Sequence, residues 1–359
     1  MEKATVAASA FCIKIKIMRV LALLSLLLCC GKLQAQQPDS VRHLVDSALR
    51  VMEHRALTAS KLNWSAIRSE VELQTAFAQT AVEAAPALFW AFDQLQDKHG
   101  WITINDSAHH NPYLFREKRT LSDGLRAALR NGPRIYNGTI ARKYAYVSIH
   151  FFMDQTLDAM NAYAQRIQDS LCKNVTPDTR GVIIDLRING GGNSFPMYQG
   201  IVNVLGNRDF AEGVDGNGRT LERFGIRNNR VVMRGNAGDS MVLHLERMCS
   251  DLANLPVAVL ISPVSGSAAE QLAIAFTARP RSVLIGERTA GYVTANNGFL
   301  LPGTNNGIVL AESLTRNLKG KLFDEDVRPD VEVIGGDDFT NRELDAKIQA
   351  AVRWLEQQR

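Results

Sequence analysis

The sequence predicts a helical front unit followed by an α/β core. Apolar residues recur at helix spacing from about residue 38 to 97. From Tyr144 onward, short β-rich runs alternate with helical stretches, the pattern of a layered sheet with helices packed against it. A composition of 46% hydrophobic and 22% charged residues over 359 positions allows a core of that size.

In chain order, Lys14, Lys16 and Arg19 precede an apolar run over residues 20–28, and Leu33, Gln34 and Ala35 supply a small-residue processing site. Residues 1–35 therefore read as an export signal, with the mature chain starting near Gln36 and located in the periplasm or cell envelope. Met18 is a second candidate start. Cys29 or Cys30 is a candidate for lipid attachment, and membrane association is expected only if that occurs. Residues 36–130 are assigned to the helical unit, with stripes at Val41, Leu44, Ala48 and Val51, at Trp64, Ile67 and Val71, and at Leu88, Phe92 and Leu95.

Residues 131–359 form the α/β unit. Strands are expected over 144–149, 181–186, 257–262 and 282–286. A helix with Leu157, Met160, Ala164, Ile167 and Leu171 on one face joins the first two. Residues 103–137 and 207–250 are polar and weakly patterned, and read as surface loops or hairpins. A closing helix is expected to open on the capping box Thr340, Asn341, Arg342 and Glu343, and to bury Leu344, Ile348, Ala351 and Leu355.

The formal charge of +4 is spread without a dense Lys/Arg block, so nothing points to nucleic acid. Three of five cysteines, Cys12, Cys29 and Cys30, fall in the export signal. The remaining Cys172 and Cys249 fit either one disulfide or two buried thiols, and their spacing does not decide between them. Neither a metal nor an organic cofactor is expected.

The chemistry concentrates at two turns. Residues 257–276 read as an apolar strand, a small-residue turn and a helix, which places Ser267 at the helix start between Gly266 and Ala268. A serine there is approachable, and the unpaired amides of the first helical turn favour a developing anion. The local pattern by itself favours a plain helix cap, with Glu270 completing a capping box. The second turn follows a buried strand and contains Gly190, Gly191 and Gly192, whose backbone is able to point amides at a ligand. A dinucleotide fingerprint is excluded, because Phe195 stands where the last glycine would be needed.

Four motifs in order carry a resemblance: Asp185, Leu186, Arg187, Asn189, Gly191 and Gly192; then Ser267, Ala268, Ala269 and Glu270; then Gly286, Glu287, Thr289 and Gly291; then Val327, Pro329 and Asp330. This resembles the tail-specific, or C-terminal processing, serine peptidases over about residues 140–335. The resemblance implies a ClpP/crotonase-like core, Ser267 as nucleophile, and an oxyanion hole made by the amides of Ala268 and Gly191. Gly190, Gly192 and Glu270 are implied as supporting residues.

One position departs from the family. Tyr292 follows the Thr289-x-Gly291 motif where processing peptidases keep a catalytic lysine. The histidine-base subgroup, which includes the nisin resistance protein and the tricorn protease core, carries its base in an Asp-x-His motif just after a helix, and this chain has Asp97, Lys98 and His99 in that place. By resemblance His99 is the base and Tyr292 lines the site. His109 and His110 are the rivals, and Asp324 or Glu325 is a candidate third member, since Phe323 occupies the position where relatives carry glutamate. The resemblance thus implies hydrolysis of a peptide or protein substrate through a Ser-His dyad and an acyl-enzyme. The alternative is a catalytically silent envelope protein that binds peptides in the same groove.

Overall fold

Three amphipathic helices open the fold: α1 (Asp39–Arg55), α2 (Trp64–Thr75) and α3 (Ala81–Gln94). The computed structural model describes residues 37–112, 119–235 and 243–358. The expected export signal, with Cys29, Cys30 and the processing point near Gln36, lies outside the described residues. Asn63 caps α2 by accepting the Ala66 amide at 3.1 Å, and Thr80 caps α3 by accepting that of Glu83 at 3.2 Å. Leu44, Met52, Val71, Leu88 and Phe92 from the three helices form one core with Ile102 and Ile104 of β1 (Trp101–Ile104).

After β1 the chain runs through β2 (Ser107–His109), α4 (Asp123–Arg130), β3 (Asn137–Ile140), β4 (Tyr144–Ser148), α5 (Leu157–Cys172), β5 (Gly181–Asp185), α6 (Ser194–Gln199), α7 (Val202–Leu205), β6 (Asp209–Val214), β7 (Thr220–Arg227) and β8 (Arg230–Gly235). It ends with β9 (Val257–Ile261), α8 (Ala268–Thr277), β10 (Ser282–Gly286), β11 (Ala295–Leu300), β12 (Gly307–Asn317), β13 (Leu322–Phe323), β14 (Val331–Glu332) and α9 (Ala346–Glu356).

One sheet has the order β14-β10-β9-β5-β4-β3, parallel except for the β3–β4 pair. Its central strands are apolar on both faces because both are covered. Ala145, Val147, Val182, Ile184, Val257 and Val259 pack against α5 and α8, while Tyr144, Tyr146, Ile183, Ala258 and Leu260 pack against α9. The strands end where the sequence places the functional turns. The second sheet, β2-β1-β12-β6-β7-β8 with β11 and β13 also on β12, is antiparallel. Through β1 and β12 it joins the front helices to the rest of the chain.

Residues 207–250 form antiparallel hairpins through β6, β7 and β8, one of the two forms expected, and β2 pairs with β1 in the same way. Three local expectations are corrected. Residues 103–137 also contain the helix α4. The closing helix starts at Ala346, not at Thr340, because Asp345 accepts the amides of Lys347 and Ile348, each at 3.0 Å. Asp338 instead holds Thr340 and Asn341 in a turn, and Leu344 is 66% exposed. On α5, Leu157 is exposed while Met160, Ala164, Ile167 and Leu171 are buried as expected. Cys172 and Cys249 form a disulfide with Cα atoms 5.5 Å apart. Among the described residues no helix is long and apolar enough to cross a membrane.

Candidate functional site

The sheet brings the three motif turns side by side, and hydrogen bonds stitch them together. Ser262 Oγ donates to the Arg187 carbonyl at 2.7 Å, and Ser265 Oγ donates to the Leu186 carbonyl at 2.8 Å. The Gly266 amide donates to the Asn189 carbonyl, and the Ala290 amide to the Ser265 carbonyl. Below them Arg187, fully buried, meets the carboxylates of Asp185, Asp337 and Asp345 at 2.6–2.8 Å. These pairs brace the strand ends. Asp330 accepts the Leu284 amide and closes the turn beside β10.

Ser267 sits at the start of α8 with φ +51° and ψ −109°. Positive φ in a residue with a side chain costs roughly 1–3 kcal/mol and persists only when its surroundings impose it. Here Glu270 imposes it. Its buried carboxylate accepts the amides of Ser267 at 2.8 Å, Gly291 at 2.8 Å and Tyr292 at 2.7 Å, together with the Thr289 hydroxyl at 2.5 Å. The side chain expected to complete a capping box thus ties the serine turn to the Thr289-x-Gly291 motif. A carboxylate with four donors around it is committed to position and is poorly suited to take a proton.

The Ser267 side chain faces the glycine turn. A methyl group on Gly191 would stand 2.8 Å from Ser267 Cβ and 3.5 Å from Oγ, and the φ of +126° there also favours glycine. Gly192, at φ +101°, has no room for a Cβ because the Phe152 carbonyl oxygen would lie 2.0 Å away. The Gly191 amide, expected to hold an oxyanion, donates to the side-chain oxygen of Asn189 at 2.9 Å. The Ala268 amide, at the first position of α8, has no acceptor one turn back within its helix.

His99 lies in the turn between α3 and β1. Asp97 shapes that turn by accepting the amides of His99 and Gly100, each at 2.8 Å, on one oxygen, and that of Ala311 on β12 on the other. The imidazole lies with its centroid 5.0 Å from that of Tyr292, whose Cδ2 would stand 3.5 Å from a Cβ on Gly266. Tyr292 therefore stands between the histidine and the serine turn. His99 Nδ1 bonds Thr294 Oγ1 at 2.9 Å, and Asn296 Nδ2 donates to the His99 carbonyl, also at 2.9 Å. A cavity of about 160 Å³ beside the ring is lined by Thr294, Val293, Leu57, Leu314 and Asp324.

The rival histidines are engaged elsewhere. His109 pairs with Asp93 at 2.9 Å and stacks on Phe89, while His110 packs near Trp101. Phe323 is buried in β13. Thr294 and Asn296 were not legible in the sequence: neither is a carboxylate, and they adjoin His99 only because β11 pairs with β12 beside the 97–100 turn.

A serine on a strained helix start facing a glycine turn is an arrangement that acyl-transfer chemistry is able to use. Residues 143–333, more than half of the sequence, match the model of peptidase family S41, and the chain belongs to that family. It is similar to the nisin-resistance protein of Lactococcus lactis subsp. lactis, with 25% identity over 264 residues, or 74% of each chain. In fold it is similar to a lipoprotein from Streptococcus agalactiae, with a TM-score of 0.64 and 20% identity over 90% of this chain and 98% of that one. The photosystem II D1 C-terminal processing protease shares the fold at a TM-score of 0.55 and 14% identity, over 83% of this chain and 94% of that one. The α/β core behind a helical front is thus the fold of this peptidase family.

Proposed function

We propose that the chain is an exported serine peptidase in which a helical unit, residues 36–130, delivers His99 to an α/β catalytic unit, residues 131–359. His99 takes the proton of Ser267, and Ser267 attacks the substrate carbonyl. The Ala268 amide and an amide of the 190–192 turn hold the oxyanion, and water releases the acyl-enzyme. The observation that carries this reading is the strained backbone of Ser267, held by Glu270 so that the side chain faces Gly191. Gly191 serves by exchanging the Asn189 side-chain oxygen for the oxyanion, so Asn189 keeps that amide satisfied until substrate arrives.

The substrate is a peptide or protein segment. The similarity to the nisin-resistance protein makes nisin the first peptide to assay, beside protein C-terminal tails. That similarity, with the fold shared with a streptococcal lipoprotein, also supports an envelope location. Mass spectrometry of exported protein is expected to find an N-terminus near Gln36.

A fluorophosphonate probe tests the mechanism. The parent protein is expected to be labelled at Ser267, with labelling lost in Ser267→Ala and strongly reduced in His99→Ala. Because the two residues act as one unit, peptide cleavage in each single variant and in the double variant is expected to fall to a similar level. Unlabelled but folded parent protein would favour the silent peptide-binding alternative.

A further inference from the structure

We infer that Thr294 and Asn296 are positioning residues that hold the proton of neutral His99 on Nδ1, leaving Nε2 to act as the base. This inference rests on the proposed dyad, and one arm of its test does not require activity.

The assignment follows by elimination from three contacts. Asn296 Nδ2 lies 2.9 Å from the His99 carbonyl oxygen. A carbonyl only accepts, so the nitrogen of the carboxamide must be on that side and its Oδ1 on the other. Asn296 Oδ1 lies 3.2 Å from Thr294 Oγ1. An amide oxygen also only accepts, so the single hydroxyl proton of Thr294 points towards it. Thr294 Oγ1 then has only lone pairs to offer His99 Nδ1, 2.9 Å away. That nitrogen carries the proton, and in the neutral ring Nε2 carries the lone pair.

The same His99 residue is therefore read twice, at its backbone carbonyl and at its ring. The anchor is stiff because Asn296 lies on β11, which pairs with β12 through Asn296 and Ala311, and the Ala311 amide is bound by Asp97 two residues before the histidine. In the proposed reaction the serine proton moves to Nε2. The imidazolium keeps donating Nδ1–H to Thr294, and no proton leaves through the threonine. Thr294 fills the place that a carboxylate holds in Ser-His-Asp sites, where the wrong tautomer costs about 10⁴ in rate.

Nitrogen-15 NMR of histidine-labelled full chain, with His99 assigned by its loss in His99→Gln, reads the tautomer directly. Above the ring's titration the parent is expected to show Nδ1–H. Thr294→Val, nearly the same in shape, removes the acceptor, and Asn296→Ala allows the Thr294 hydroxyl to turn and donate to Nδ1. Both are expected to move the proton to Nε2, whereas Thr294→Ser retains the parent spectrum. In peptide cleavage, Thr294→Val is expected to lower kcat by about tenfold or more with KM little changed, and Thr294→Ser to restore most of it. If Thr294→Val fails to fold, Asn296→Ala carries the test. An Nε2–H ring in the parent, or an Nδ1–H ring retained in the folded variants, overturns the inference. Failure of fluorophosphonate labelling alongside the expected spectra would instead overturn the dyad and leave the positioning contacts standing.

Discussion

Replacing Glu270 by glutamine isolates the part of the site that holds Ser267 in place. The carboxylate faces four donors, two on each oxygen: the Thr289 hydroxyl and Gly291 amide on one, the Ser267 and Tyr292 amides on the other. Glutamine keeps one acceptor and replaces the other with an NH₂ group. Turned one way, that NH₂ meets the Ser267 and Tyr292 amides. Turned the other way, it meets the Gly291 amide and a threonine oxygen that already accepts the Val327 amide at 2.9 Å. The best orientation therefore leaves at least one buried backbone donor facing another donor, at about 1–3 kcal/mol, and removes the charge from the remaining bonds. The sum is about 3–5 kcal/mol, a large share of the 5–15 kcal/mol of a typical domain. Urea unfolding followed by circular dichroism is expected to show that loss in Glu270→Gln. Fluorophosphonate labelling is expected to fall even in conditions where the variant is folded, because the Ser267 amide has lost its anchor. A stability change under about 1 kcal/mol would refute this reasoning. Unchanged stability with all labelling gone would instead make Glu270 a participant in the chemistry.

Other outcomes follow from individual contacts. Gly191→Ala is expected to abolish labelling, since the added methyl would stand 2.8 Å from Ser267 Cβ at a φ of +126°; a labelled variant would mean that the glycine turn does not face the serine. Tyr292→Phe is expected to keep most of the cleavage activity, because Tyr292 contributes its ring beside His99 and its amide to Glu270; activity as low as in Ser267→Ala would reassign the base. The Cys172–Cys249 bond links positions 77 apart, so chain entropy alone gives about 4.5 kcal/mol. The double serine variant is expected to lose about 2–4 kcal/mol in urea unfolding, with an unchanged transition showing the bond to be idle. In Asp185, burial alone would raise the carboxyl pKa, but the Arg187 guanidinium outweighs it and the net shift is downward. Glu212 is lowered by hydrogen bonds from Arg316 and Arg223, which outweigh its burial. A carboxyl whose folded pKa is depressed adds stability above its unfolded value near 4, and that stability is lost as pH falls through the folded value. Urea midpoints are therefore expected to drop steeply below about pH 4, and flat midpoints from pH 6 to 3 would contradict this.

The parallel core was legible in the sequence because each central strand is apolar on both faces and ends in its own turn chemistry. Residues 257–261 become β9 and Ser267 the start of α8, because an apolar run, a small-residue turn and a helical stretch all specify the same local structure. The family motifs follow in order along the chain, so the resemblance pointed to Ser267, the glycine turn and Glu270 where the local pattern by itself favoured a helix cap. The second sheet was legible only as candidate hairpins, since β6, β7 and β8 mix charge with short apolar runs and join the rest of the sheet only where β6 meets β12, far along the chain. The start of α9 was misplaced because two capping patterns compete there, and Asp345 prevails through its pairing with buried Arg187, 158 positions away. Whether Cys172 and Cys249 were joined depended on their separation in space. The surroundings of His99 depended on tertiary structure in the same way: Asp97 sets its turn locally, but Thr294 and Asn296 reach it only through the pairing of β11 with β12. Sequence alone singled out the candidate residues, because each motif is a short-range pattern read in order along the chain. Only the tertiary structure decided which neutral side chains orient them, because a hydrogen bond between residues nearly two hundred positions apart leaves no periodic trace along the chain.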